Sequence, residues 1–180
     1  MPERNQAISY KVKKFKYKFK RISSVNIELI EDFSCGSEQL DKKLLQMKEN
    51  DDGTTFVFLD ETNGQIIGYC TYCASGLKKS YENDSITYPA AEIKYFAINK
   101  TYQHKAYDKD FNFSDLMLCE VIKKLIEISE ELISFDYILL YSVPDAVSFY
   151  KRNGFYEFTE FMKKDSYSYI DGCVPMFFKL

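Results

Sequence analysis

The feature that most constrains the fold is one long amphipathic segment held between two short apolar ones. Across residues 115–132, Leu116, Leu118, Val121, Ile122, Leu125 and Ile128 recur at helical spacing, with Ser114 in the position of an N-cap. Residues 89–98 before it and 137–141 after it are apolar and read as strands. Strand, helix, strand at this spacing is a crossover unit, whose two strands lie parallel in one sheet.

The rest of the chain builds around that unit. Residues 1–9 are polar and expected to be loose. Across 10–22 the sequence alternates, with Phe15, Tyr17 and Phe19 against Lys14, Lys16, Lys18 and Lys20. That period of two predicts an edge strand whose lysines keep other sheets away. Ser23 and Ser24 are placed to cap a short helix over 25–30. Ser37-Glu38-Gln39-Leu40 is a capping box for a second helix, with Leu40, Leu44 and Met47 on one side. Residues 54–59 and 65–73 read as strands joined through Asn63-Gly64, a hairpin turn pair. Residues 76–88 read as polar loop. Pro144 suits the first turn of a helix reaching Arg152, Gly154 its left-handed stop, and 155–161 and 174–180 are the last strands. The order is β, α, α, β, β, β, α, β, α, β, β. It predicts an α/β fold with a mixed sheet and helices on both faces, formed by a single domain over 10–180.

Composition narrows the function classes. The net charge is −3, but residues 1–21 carry Arg4, Lys11, Lys13, Lys14, Lys16, Lys18, Lys20 and Arg21 against Glu3, a local +7 that leaves −10 for the rest. A basic arm on an acidic body suits contact with RNA or an acidic partner through 11–21, and not general nucleic-acid binding. The five cysteines, Cys35, Cys70, Cys73, Cys119 and Cys173, are scattered and odd in number, so no disulfide framework is expected. Cys70 and Cys73 stand three apart on a strand and point to opposite faces, which favours packing over zinc binding or redox chemistry. No apolar run is long enough to span a bilayer and no leader is visible, so a cytoplasmic protein without a membrane partner is expected. A homodimer is left open. No metal-ligand cluster, P-loop or Ser-His-Asp pattern is present.

Two segments carry more than architecture. Ala146-Val147-Ser148-Phe149-Tyr150-Lys151-Arg152-Asn153-Gly154-Phe155 resembles the A-x-x-F/L-Y-x-x-x-G-F segment of the GNAT N-acetyltransferases. Phe33-Ser34-Cys35-Gly36-Ser37-Glu38-Gln39-Leu40 resembles the F-x-C-G-x-x-x-L segment of one GNAT branch, which includes toxin-like members of toxin–antitoxin pairs. Thr54-Thr55-Phe56-Val57-Phe58, Ile66-Ile67-Gly68-Tyr69 and Ile93-Lys94-Tyr95-Phe96-Ala97-Ile98 fit the same branch, so the resemblance spans roughly residues 15–160. It implies a mostly antiparallel mixed sheet whose fourth and fifth strands splay apart. It also implies acetyl-CoA as cosubstrate, and acetyl transfer by direct attack of a primary amine on a small molecule, a protein or an aminoacyl-tRNA. The family joins its fourth strand to the long helix through Q/R-x-x-G-x-G/A, whose backbone N–H groups bind pyrophosphate. Here the stretch reads Gln103-His104-Lys105-Ala106-Tyr107-Asp108, with Ala106 and Asp108 where the glycines are expected. This departure supports an alternative, a GNAT-fold binding or regulatory module with impaired catalysis.

The resemblance also assigns residues. Acetyl transfer needs a neutral amine, a polarised thioester and a proton for the departing thiolate. The backbone of Phe96, Ala97 and Ile98 would pair with pantetheine, with the Phe96 and Ile98 N–H groups facing the thioester. Gln103, Lys105, Ala106, Ser114 and Asp115 would lie at the phosphate end, where the Asp115 carboxylate complements the helix dipole and repels pyrophosphate. Ser142 and Phe149 would flank the donor. Tyr150, a phenol with an ordinary pKa of about 10, would protonate the thiolate. Glu92, expected on the same strand face as Lys94 and Phe96, is the candidate base, acting through water. His104, the only histidine, is assigned no catalytic role.

Overall fold

The structure is a computed structural model that describes residues 15–47, 52–80, 82, 84–158 and 172–180. The expected loose N-terminus, the start of the first strand and residues 159–161 of the sixth lie outside the described residues. Seven strands form one sheet in the order β1-β2-β3-β4-β5-β7-β6. They are β1 (Tyr17–Arg21), β2 (Thr54–Asp60), β3 (Ile66–Ser80), β4 (Ser85–Ile98), β5 (Tyr137–Ser142), β6 (Tyr156–Glu157) and β7 (Val174–Lys179). Every neighbouring pair is antiparallel except β4–β5, the crossover pair, which is parallel as its connecting helix requires.

The helices are α1 (Ile27–Glu31), α2 (Glu38–Gln46), α3 (Phe113–Glu131) and α4 (Val147–Arg152). Helices α3 and α4 pack on one face, where Met117, Leu118, Val121 and Leu125 meet Phe58, Ile67, Cys70, Ile93 and Ile98. Helices α1 and α2 cover the other, where Ile30 and Leu44 meet Val57, Tyr69 and Ala97. Along β1, Phe15, Tyr17 and Phe19 pack inward, while Lys16, Lys18 and Lys20 stay exposed on the sheet edge. Cys70 is buried against α3, and Cys73 turns to the opposite face beside Glu92. Among the described residues, no helix is long and apolar enough to cross a membrane.

The structure corrects several boundaries. Most of the expected 76–88 loop is strand: the β3–β4 ladder runs through Leu77↔Tyr88 and Lys79↔Ile86 to Ser80↔Ser85. The lysines mask a period of two, and Leu77 is anchored by Ala90, Leu139 and Phe158. Asn26, not Ser23 or Ser24, caps α1 by accepting from the Glu28 N–H. Helix α3 starts at Phe113 behind Asn112, so Ser114 lies inside its first turn, and Met117 rather than Leu116 is fully buried. Gly154 ends α4 with φ 89°, as its position predicts.

Candidate active site

The site begins with one surplus residue. Thr71 and Tyr72 of β3 face Tyr95 and Ile93 of β4, so Lys94 is a bulge. A bulge bends its strand and steepens its twist. Pairing between β4 and β5 runs from Ala90↔Tyr137 to Ile93↔Leu140 and stops there. Beyond that point β4 follows β3, β5 follows β7, and residues 94–98 show a free edge to the gap. Asn99 donates its N–H to Ile67 of β3, at 2.8 Å. By alternation, the polar groups of Phe96 and Ile98 turn the other way, into the gap. The two expected thioester-facing N–H groups are therefore on the open edge.

A cavity of about 440 Å³ lies along this free edge, between residues 96–98 of β4 and helix α4. Phe96, Ala97, Ile98, Gln103, Ser114, Phe149 and Tyr150 all line it, so much of the expected set converges. Phe96 and Phe149 stack across it, centroids 6.1 Å apart and planes 14° from parallel. Tyr150 is 8% exposed and wedged edge-on between Phe149 and Phe155. Its hydroxyl makes no hydrogen bond to any described residue. Burial pushes its pKa well above the ordinary phenol value, so the group stays protonated and able to donate. Cys35 also lines the cavity. Burial and its hydrogen bond with Asp41 push that thiol up to about 11, which keeps it a thiol rather than a nucleophilic thiolate at neutral pH.

The other end of the cavity is built differently from the expected loop. Gln103 Nε2 donates to Cys35 O at 2.7 Å and Ile98 O at 2.8 Å, and Tyr102 donates its hydroxyl to Asp60 at 2.8 Å. These pins fix the start of the loop. Ala106 then bridges Asn112, closing a small hairpin of its own. The Tyr107 and Asp108 N–H groups go to Phe111 O, those of Asp110 and Phe111 to Asp108 Oδ1, and that of Phe113 to Lys105 O. Most of the loop's backbone donors are thus spent inside the protein. His104 takes φ 56°, a left-handed conformation near the start of this rebuilt loop, and lines the cavity.

Asp115 does not face an incoming anion unpaired. Arg152 meets its carboxylate side-on, Nε to Oδ1 at 3.0 Å and Nη2 to Oδ2 at 3.1 Å, and Asn153 Nδ2 adds a bond at 2.9 Å. Burial raises the carboxyl pKa, but the Asn153 and Arg152 hydrogen bonds and the Asn112 N–H outweigh it and hold the group below the ordinary carboxylate value. Arg152 also lies 5.2 Å over the Phe149 ring and lines the cavity. Sequence reasoning missed it. The signal was its spacing, three residues past Phe149 on one helix face.

Four expected residues sit elsewhere. Lys105 lies with its Nζ 5.6 Å over the Tyr102 ring. Ala106 is in the hairpin. Ser142 is buried at the end of β5, its hydroxyl donating to Val143 O. Glu92 shares a face with Lys94 but not with Phe96, because the bulge flips the alternation between them. It accepts from Ser75 Oγ at 3.1 Å, on the face of β4 away from α3. Among the described residues, no group of three or more His, Cys, Asp or Glu side chains is placed to hold a metal ion.

No family model and no curated protein matches the chain. Solved structures do. A bacterial toxin aligns with TM-score 0.72 at 21% identity, over 92% of this chain and 91% of that one. A tyrosine-to-phenylalanine mutant of the toxin AtaT, bound to the C-terminus of the antitoxin AtaR and acetyl-CoA, aligns with TM-score 0.64 at 16% identity, over 91% and 92%. AtaT complexed with acetyl-methionyl-tRNA aligns with TM-score 0.65 at 15% identity, over 91% and 95%. At these identities the likeness establishes the fold. It is GNAT-like, an open and mostly antiparallel sheet with one parallel pair.

Proposed function

We propose that the protein is an N-acetyltransferase that moves acetyl from acetyl-CoA to a primary amine. The observation that carries this reading is the parting of β4 from β5, beside which Phe96, Ile98 and Tyr150 border one cavity. The free edge of β4 suits the amides of a pantetheine arm. That AtaT, on the same fold, has been solved with acetyl-CoA supports the donor.

Acetyl-CoA supplies an activated thioester. The N–H groups of Phe96 and Ile98 face the thioester carbonyl and stabilise the negative charge that grows on its oxygen. Tyr150 gives its proton to the departing sulfur as the carbon–sulfur bond breaks and the carbon–nitrogen bond forms. The amine must lose a proton first. Glu92, on the opposite face of β4, takes it through water from an amine that enters the gap from that side. Cys35 remains a bystander, so attack is direct.

The acceptor is an amine on a small molecule, a protein or an aminoacyl-tRNA. AtaT complexed with acetyl-methionyl-tRNA favours the last, as do the exposed Lys16, Lys18 and Lys20 along β1. A second reading, a binding or regulatory module, is favoured by the spent donors of the 103–113 loop. Calorimetry with acetyl-CoA separates the two. Binding by the wild type, with turnover lost and binding kept in Tyr150→Phe, is expected. No binding at high micromolar acetyl-CoA sinks the enzyme in favour of the module.

A further inference from the structure

Acetyl-CoA, the donor in the reading on which this inference rests, is a polyanion. A cleft that holds phosphates needs cations or clustered N–H donors aimed at them. The 103–113 loop has little to offer, since most of its N–H groups are already satisfied. Arg152 is the one Lys or Arg side chain lining the cavity among the described residues. Its setting is rigid. Asp115 grips its Nε and Nη2 side, and the guanidinium rests over Phe149. That grip leaves Nη1 and the second Nη2 hydrogen, the end-on edge of the fork, which suits two oxygens of one phosphate. The side chain is 53% exposed despite this grip. Asp115 is bonded by Arg152, Asn153 and Asn112 together, and acts as a fixed counter-charge that orients the arginine. Ser114 at the start of α3 and His104 line the same cavity and add polar groups beside it.

We infer that Arg152 is the phosphate anchor of this site, a side-chain replacement on α4 for a backbone cradle on the loop. The donor is held by its pantetheine arm on β4 and by its phosphates on α4. The Asp115–Arg152 pair presets that second hold before any ligand arrives, which limits the ordering cost of binding.

The test compares two donors that share a thioester and amides: acetyl-CoA and acetyl-pantetheine, which has no phosphate. Calorimetry on Arg152→Gln is expected to show acetyl-CoA weakened about 10- to 100-fold, the worth of a charge-assisted hydrogen bond. Acetyl-pantetheine should bind it within about twofold of the wild type, since no charged contact to that ligand is lost. Asp115→Asn keeps the cation but loosens its grip, since an amide has one acceptor oxygen where the carboxylate has two, and should weaken acetyl-CoA less than Arg152→Gln does while sparing acetyl-pantetheine. Equal weakening of both donors by Arg152→Gln overturns the inference. A wild type that binds acetyl-CoA tightly and is indifferent to Arg152→Gln removes the anchor and leaves the enzyme reading standing. A wild type that binds neither donor takes down both.

Discussion

The two ends of the cleft are made by different means. At the thioester end the site is backbone: a bulge at Lys94 parts β4 from β5, and the Phe96 and Ile98 peptides face the gap. At the far end the backbone is occupied with itself, tied up in a hairpin closed by Asp108. Polarity there comes from side chains instead, with Arg152 fixed by Asp115. On the proposed reading, a strand edge and a guanidinium serve one elongated ligand, each held still before the ligand comes.

The sharpest way to break the comparison is Tyr150→Phe. The ring and its packing against Phe149 and Phe155 stay, and one hydroxyl goes. Turnover is expected to fall about 10²- to 10⁴-fold, as for loss of a general acid, with acetyl-CoA affinity held. Steady-state rates with a model amine, beside calorimetry, check this. Unchanged turnover removes Tyr150 from the chemistry.

Glu92→Gln should cost less, about 10- to 100-fold, because water and buffer partly replace a base that acts at a distance. The mark of the role is rescue: an added small base should restore part of the variant's turnover and leave the wild type unchanged. A loss that no added base restores assigns Glu92 to structure, through Ser75.

The backbone end is sharpened by Gly68→Ala. A Cβ there would lie 2.6 Å from the Ala97 carbonyl oxygen, a backbone atom on the very stretch that edges the gap. A destabilisation of about 1–3 kcal/mol is expected, read by chemical denaturation, with donor affinity falling beyond that of a remote variant of equal stability. Asp115 gives the smallest effect, visible in acid. Its carboxyl is held below the ordinary value, so the folded state binds fewer protons than the unfolded one. The stability it lends is full above the ordinary Asp value of about 3.9 and is lost as pH falls through the folded value. The stability gap between the wild type and Asp115→Asn should therefore be open at pH 6 and close in strong acid.

Much of this was legible in the sequence, for physical reasons. Long periodic elements announce themselves, and so the crossover helix, the Asn63-Gly64 hairpin and the Gly154 stop all appear where their residues place them. The altered 103–108 stretch was visible as missing glycines, but not its outcome, because a hairpin closed by Asp108 depends on hydrogen bonds that no periodicity encodes. The β3–β4 arm hid behind its lysines. Glu92 was put on the wrong side because alternation counts residues and a bulge adds one. Arg152 left only its spacing from Phe149 as a signal, because its partner Asp115 lies far away in the chain, on another helix.

That surplus residue has a further consequence. The gap in the sheet is written in a count rather than in a side chain, so replacing Lys94 by any other residue should leave it open. Removing Lys94 altogether should let β4 run on beside β5 and seal the slot, with Glu92 and Phe96 still on opposite faces. A deletion at one position would then achieve what a scan of substitutions across the whole strand does not.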